Sequence, residues 1–171
     1  MTTEFPRTAL ADVLSGNATY AADFVDTGLS GTAARGLAVI TCMDSRIDPL
    51  SVVGMVKGDV KILRNAGARV TDDALRTLVL AVYLLGVTRV LVMPHTNCKM
   101  ASAGEEEIHA MILAEHGVDT RSVEIRTVHD QDAALAYDHT RIRTHPLLPR
   151  DLVVAGAVYD VATGRLEPRD L

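Results

Sequence analysis

Two short polar bursts hold the residues of this 171-residue sequence that could do chemistry. The first, Cys42-Met43-Asp44-Ser45-Arg46, sets a thiol, a carboxylate and a guanidinium at alternate positions. Side chains of an extended chain alternate between faces, so these three would project to one side. The second, His95-Thr96-Asn97-Cys98, adds an imidazole and the other of the chain's two cysteines. Two thiolates, an imidazole and a carboxylate form the ligand set that a borderline-soft d¹⁰ ion such as Zn²⁺ prefers. Taken singly, each residue is a weak signal, because a buried Cys is usually just a small hydrophobe. The metal reading rests on the pairing, since both cysteines follow matching apolar runs.

Asp44 and Arg46 have roles that compete. A carboxylate near zinc either ligates it or salt-bridges a guanidinium. Arginine's planar fork can hold a carboxylate bidentately, so Arg46 can draw Asp44 off the metal. That leaves a fourth position for water, the feature that separates a catalytic zinc from a structural one. Zinc brings the pKa of bound water towards about 7. A hydrogen bond to Asp44 would then orient the resulting hydroxide. The alternative is a plain surface Asp–Arg pair.

Both bursts need strands to position them. Leu37 to Thr41 is a β-branched-rich apolar run, and Arg89 to His95 is a second; each reads as a buried strand running into its burst. As parallel neighbours they would bring Cys42, Asp44, His95 and Cys98 to one sheet edge, where open α/β sheets place their ligand crevice. Val60–Asn65 reads as a further strand, and Leu152 to Asp160 as the last, followed by a terminal hairpin through Ala162-Thr163-Gly164-Arg165. Between them, Leu50 to Val56 reads as a short helical turn. A helix runs through Leu75 to Leu85, with Asp72-Asp73 as its cap and Gly86 as its stop. It is apolar nearly all round from Leu78, which predicts burial on both sides. Glu105 opens another helix with Ile108, Met111 and Ile112 as its buried face and Gly117 as its stop, and Gln131 to Ile142 forms the last. The fold class is therefore α/β, a mostly parallel central sheet flanked by helices. Ahead of it, residues 1–35 form a helical arm that Ser15-Gly16-Asn17 breaks into two pieces. The arm could pack across a partner subunit or on its own sheet. Residues 36–171 form the zinc-binding α/β part of what is one structural domain overall.

Composition narrows the function. A net charge of −5 argues against a nucleic-acid or anionic-membrane partner, both of which call for a clustered basic face. No stretch is long and apolar enough to span a bilayer, and Met1 to Arg7 has no signal-peptide run. Two cysteines in such a chain read as cytoplasmic thiols, not as a disulfide framework. His109, His116, His129, His139 and His145 have no companion ligand nearby in sequence and read as solvated or structural.

The paired motif, C-x-D-x-R followed by H-x-x-C, resembles that of the β-class carbonic anhydrases. Arg64-Asn65-Ala66-Gly67, Val70-Thr71-Asp72-Asp73 and His145-Pro146-Leu147-Leu148-Pro149 are similar to the short bacterial members. The resemblance implies one zinc per subunit on Cys42, His95 and Cys98, with Asp44 as the exchangeable fourth ligand and Arg46 as its partner. It implies CO₂ and bicarbonate as substrates of a reversible hydration by zinc hydroxide. It also implies N-terminal helices that embrace a second subunit, in a homodimer or a tetramer of dimers. Carbonyl sulfide and carbon disulfide hydrolases resemble the same family, and a non-catalytic zinc-binding protein is a further alternative. Two positions depart from the pattern. Lys99 follows the second cysteine, where glycine is usual, and Pro94 precedes His95, where glycine is common.

Overall fold

The computed structural model describes residues 4–171, which divide into two compact units, 4–30 and 31–171. The first unit holds α1 (Ala11–Ala22), one continuous helix that runs straight through Ser15-Gly16-Asn17. The expected break is absent because one helical glycine costs only about 1 kcal/mol and this helix absorbs it. None of its residues is buried, and the rings of Tyr20 and Phe24 lie 5.6 Å apart, tilted 50° to one another.

The second unit is built on a five-stranded sheet in the order β2-β1-β3-β4-β5. Its strands are β1 (Leu37–Cys42), β2 (Val60–Asn65), β3 (Arg89–Met93), β4 (Val153–Tyr159) and β5 (Leu166–Arg169). The first four are parallel, and β5 closes the edge antiparallel to β4. Every residue of β1 is buried, as a central strand covered on both faces requires. From β1 the chain leaves to β2 on one side, and from β3 to β4 on the other. The carboxyl ends of β1 and β3 therefore flank a topological switch point, the crevice where such sheets hold their ligands.

Alternating residues of the strands feed two cores. Ala38, Ile40, Val90, Val92 and Val158 pack with Leu75, Leu78 and Ala81 of α3 (Asp72–Leu85) and with Leu135 and Ile142 of α5 (Gln131–Arg143). Leu37, Val39 and Met93 point the other way, towards Ile47 and towards Val52, Val53 and Met55 in and after the short α2 (Pro49–Val52).

Several boundaries differ from expectation. β3 ends at Met93 because Pro94 has no N–H for the ladder, and His95 rejoins the sheet only through an isolated bridge to Tyr159. The cap of α3 is Thr71, whose hydroxyl accepts from the Ala74 N–H at 3.2 Å; Asp72 and Asp73 fill the first turn. Gly86, at φ 73°, ends this helix in the left-handed conformation that glycine adopts freely. α3 is not covered on both sides. Leu78 and Ala81 are buried, whereas Leu80, Tyr83 and Leu84 face outward. In α4 (Glu105–His116) no residue is fully buried; Ile108 and Ile112 are half-buried and Met111 is exposed. Among the described residues no helix is long and apolar enough to cross a membrane.

Candidate metal centre

At the switch point, Cys42 ends β1 while His95 and Cys98 lie in the loop after β3. Their ligand atoms all fall within 4.8 Å of one another, the one such group among the described residues. The two sulfurs are 3.9 Å apart. Two thiolates at about 2.3 Å from a common tetrahedral ion would stand about 3.8 Å apart, so the spacing fits. His95 is 1% exposed, and its Nδ1 donates to the carbonyl of Thr96 at 2.9 Å. A carbonyl can only accept, which places the proton on Nδ1 and leaves the lone pair on Nε2. That Nε2 is buried with no hydrogen-bond partner. A buried lone pair beside two sulfurs, with no donor to meet it, is the arrangement of a metal ligand. Burial pushes the His95 pKa down, keeping the imidazole neutral. Burial likewise pushes the Cys98 thiol up, with the neighbouring Cys42 sulfur adding to it, an imbalance that a divalent cation would offset.

Asp44 stands beside this cluster but turns to Arg46. Arg46 donates from Nε to Oδ1 at 2.9 Å and from a terminal nitrogen to Oδ2 at 2.7 Å, while its backbone N–H donates to Oδ1 at 2.9 Å. These bonds hold the Asp44 carboxyl well below the usual carboxylate range, and the Arg46 guanidinium is raised in turn. Asp44 Oδ2 remains 3.8 Å from His95 Nε2. The pair thus sits at the edge of the cluster, outside it yet within reach of a small group held there.

Further bonds build the frame, and the sequence reading assigned none of them. Arg64 of β2 donates to the carbonyls of Cys42 (2.9 Å) and Asp44 (2.6 Å), fixing the turn that carries the first burst. Arg46 also donates to the carbonyl of Asn97 at 3.0 Å, and Asn97 adopts φ 54°, which asparagine tolerates better than most residues. Gln131, at the start of α5, donates to the carbonyl of His95 at 2.8 Å. Thr96 donates its hydroxyl to Asp160 at 3.2 Å and accepts the Val161 N–H at 3.1 Å. For Arg64 the signals were its charge inside an apolar strand and its place in the Arg64-Asn65-Ala66-Gly67 stretch. Gln131 and Asp160 had none.

The cluster opens on a cavity of about 440 Å³, lined by Cys42, Met43, Asp44, Ser45, Arg46, Ala66, Cys98, Lys99 and Met100. Gly67, at φ 76°, lies against it; a Cβ there would come within 3.3 Å of Met100. Pro94 is buried, and its carbonyl accepts from the Tyr159 N–H at 2.8 Å. The remaining histidines lie elsewhere. His109 contacts Thr120 Oγ1 at 2.8 Å and lies 3.8 Å from Glu105, so it does have a carboxylate beside it, but no third ligand among the described residues. His139 reaches the Val154 carbonyl at 3.3 Å.

A Cys/His/Cys cluster at the switch point of a mostly parallel sheet defines an α/β protein with a group that could hold a metal ion, and known proteins share this frame. The carbonic anhydrase family profile matches residues 37–166. Beta-carbonic anhydrase 1 of Mycobacterium tuberculosis is 32% identical over 160 residues, spanning 93% of this chain and 96% of that protein. The crystal structure of carbonic anhydrase from Streptococcus mutans superposes with a TM-score of 0.88 at 30% identity, over 99% of this chain and 100% of the other. Carbon disulfide hydrolase of Acidithiobacillus thiooxidans is 30% identical over 155 residues, spanning 78% of this chain and 77% of that protein. This chain belongs to the β-carbonic anhydrase family.

Proposed function

We propose that this chain catalyses the reversible hydration of CO₂ to bicarbonate and a proton, with one zinc ion per subunit held by Cys42, His95 and Cys98. The observation that carries the reading is the Asp44 carboxylate clamped by Arg46 beside a three-ligand cluster. Three protein ligands leave a fourth position for a reacting molecule. Zinc bound there would supply the Lewis acidity that makes water a nucleophile near neutral pH. The rest falls to the chain. Asp44 stays ionised, so its Oδ2 can only accept a hydrogen bond. A nucleophile that still carries a proton is thereby oriented, with its lone pair free for the carbon of CO₂. Arg46 keeps that carboxylate out of the cluster; released, Asp44 would serve as the exchangeable fourth ligand.

A second reading is hydrolysis of carbonyl sulfide or carbon disulfide at the same site. It rests on the similarity to carbon disulfide hydrolase and on Met43 and Met100, polarizable side chains that line the cavity. A non-catalytic zinc protein is less well supported, since it has no need of the Arg46 clamp. Ligand thiols 3.9 Å apart must stay reduced, which supports a cytoplasmic location. The outward apolar residues of α3 support a homodimer or a tetramer of dimers. Stopped-flow CO₂ hydration across pH, on protein of measured zinc content, tests the reading. Full zinc occupancy with no hydration, and with carbon disulfide turned over instead, would replace it by the second.

A further inference from the structure

We infer that Lys99 makes the cavity an anion-accepting site, binding bicarbonate by charge and setting this site apart from one built for neutral sulfur substrates. The inference rests on the proposed function and concerns a residue that holds no metal. Lys99 lines the same cavity as Cys42, Asp44, Arg46 and Cys98. Its backbone is pinned directly after Cys98 in a 3₁₀ turn, Lys99–Ala101, whose first carbonyl accepts the Ser102 N–H at 3.2 Å and the Ser102 hydroxyl at 2.7 Å.

The formal charges around this cavity decide what Lys99 does. Arg46 neutralises Asp44 through two charge-assisted hydrogen bonds. A divalent ion would neutralise the thiolates of Cys42 and Cys98, and His95, with its one proton on Nδ1 hydrogen-bonded to the Thr96 carbonyl, is a neutral ligand. Lys99 enters no ion pair among the described residues. Once the rest cancels, the lysine is the one uncompensated charge among the residues that line the cavity, and a monovalent anion there balances it. Bicarbonate is such an anion. CO₂, carbonyl sulfide and carbon disulfide are neutral and gain little from a cation. The reaction moves one negative charge outward from the attacking oxygen to the bicarbonate oxygens and leaves the net charge unchanged. Lys99 therefore acts on how tightly the anion is held. Its loss raises KM for bicarbonate with kcat of dehydration little changed, while kcat/KM in the two directions, tied by the overall equilibrium, falls by a common factor.

The test uses zinc-loaded wild type, Lys99→Met and Lys99→Arg, with thiocyanate as an inert anion probe measured by titration calorimetry. Lys99→Met removes the charge and keeps the stem. It should weaken thiocyanate binding about two- to fivefold, the range of one solvent-exposed charge interaction. The difference should shrink as salt rises. Lys99→Arg should restore the wild-type constant. Equal dissociation constants for wild type and Lys99→Met at low salt would overturn the inference, as would failure of Lys99→Arg to restore binding. The calorimetry needs no turnover, so a protein inactive on CO₂ would defeat the proposed function while the anion constants still decided the role of Lys99.

Discussion

Arg46 grips Asp44 with both prongs of its guanidinium, and the gripped carboxylate keeps one oxygen 3.8 Å from the free Nε2 of His95. The pair is two residues apart in sequence, yet it stands at the edge of a cluster whose two cysteines are 56 residues apart. Removing the grip should let Asp44 fall onto the metal. Arg46→Ala is therefore expected to keep near-normal zinc content while hydration collapses. X-ray absorption should report a fourth protein ligand on the zinc, a carboxylate oxygen. Activity intact with only three protein ligands would show that Arg46 merely braces the turn.

The cysteines predict the opposite pattern. Cys42→Ser or Cys98→Ser exchanges a soft anionic ligand for a neutral hydroxyl and should strip the zinc, because three protein ligands cannot spare one. Metal analysis of the purified variants decides it. Full occupancy in both would remove the site assignment.

Much of this site was legible because its ligands cluster in two bursts, each following a run of apolar residues that could only be a strand. Parallel pairing of β1 with β3 then brings the bursts together. The supporting bonds were not legible. Gln131 meets His95 across 36 residues and Asp160 meets Thr96 across 64, and no local pattern announces such pairs. The fold was read more fully than the packing. The glycine in α1 looked like a break, because propensity alone does not show that a helix can absorb it. The periodicity of α3 was right, but it could not show which side of an all-apolar helix its own sheet covers.

Gln131 offers a test of the frame separate from the ligands. Its amide donates to the His95 carbonyl at 2.8 Å. Gln131→Leu leaves that acceptor without its partner, at a cost of about 1 kcal/mol in folding stability. It should also loosen zinc, because the backbone that carries the His95 ring is then less firmly placed. Urea unfolding and competition with a chelator measure the two effects. An unchanged zinc affinity would mean that the backbone of His95 is held without Gln131.

Glu105 sets an acid limit on stability. Its carboxylate accepts the backbone N–H groups of Ile125 (2.9 Å) and Arg126 (3.1 Å), and the bond from Ile125 is the main cause of a pKa below the ordinary 4.5. A carboxyl with a depressed folded pKa adds stability that is fully present above its unfolded value and is lost as pH falls through the folded one. Glu105→Gln should thus lower the urea midpoint at pH 7 and narrow its gap to wild type below pH 4.5. A constant gap across that range would show that these bonds do not favour the ionised form.

The outer face of α3 makes the prediction about assembly. Leu80, Tyr83 and Leu84 are 44%, 61% and 69% exposed, and their spacing of three and four residues sets them side by side on one helical face. The face their helix turns inward is already filled by Leu75, Leu78 and Ala81 against the sheet, so rotating α3 cannot hide them. Contiguous apolar residues of this size mark an interface more often than free surface. A second copy of the chain is the proposed cover, and sedimentation velocity at micromolar concentration should show a dimer or larger. Leu84→Glu would place a charge in that contact and shift the population towards monomer. Val123→Glu, at a residue equally exposed but far from α3 in sequence, should leave it unchanged. Wild type sedimenting as a monomer would leave the face without a partner. An equal response to both substitutions would show that net charge, and not the α3 contact, governs association.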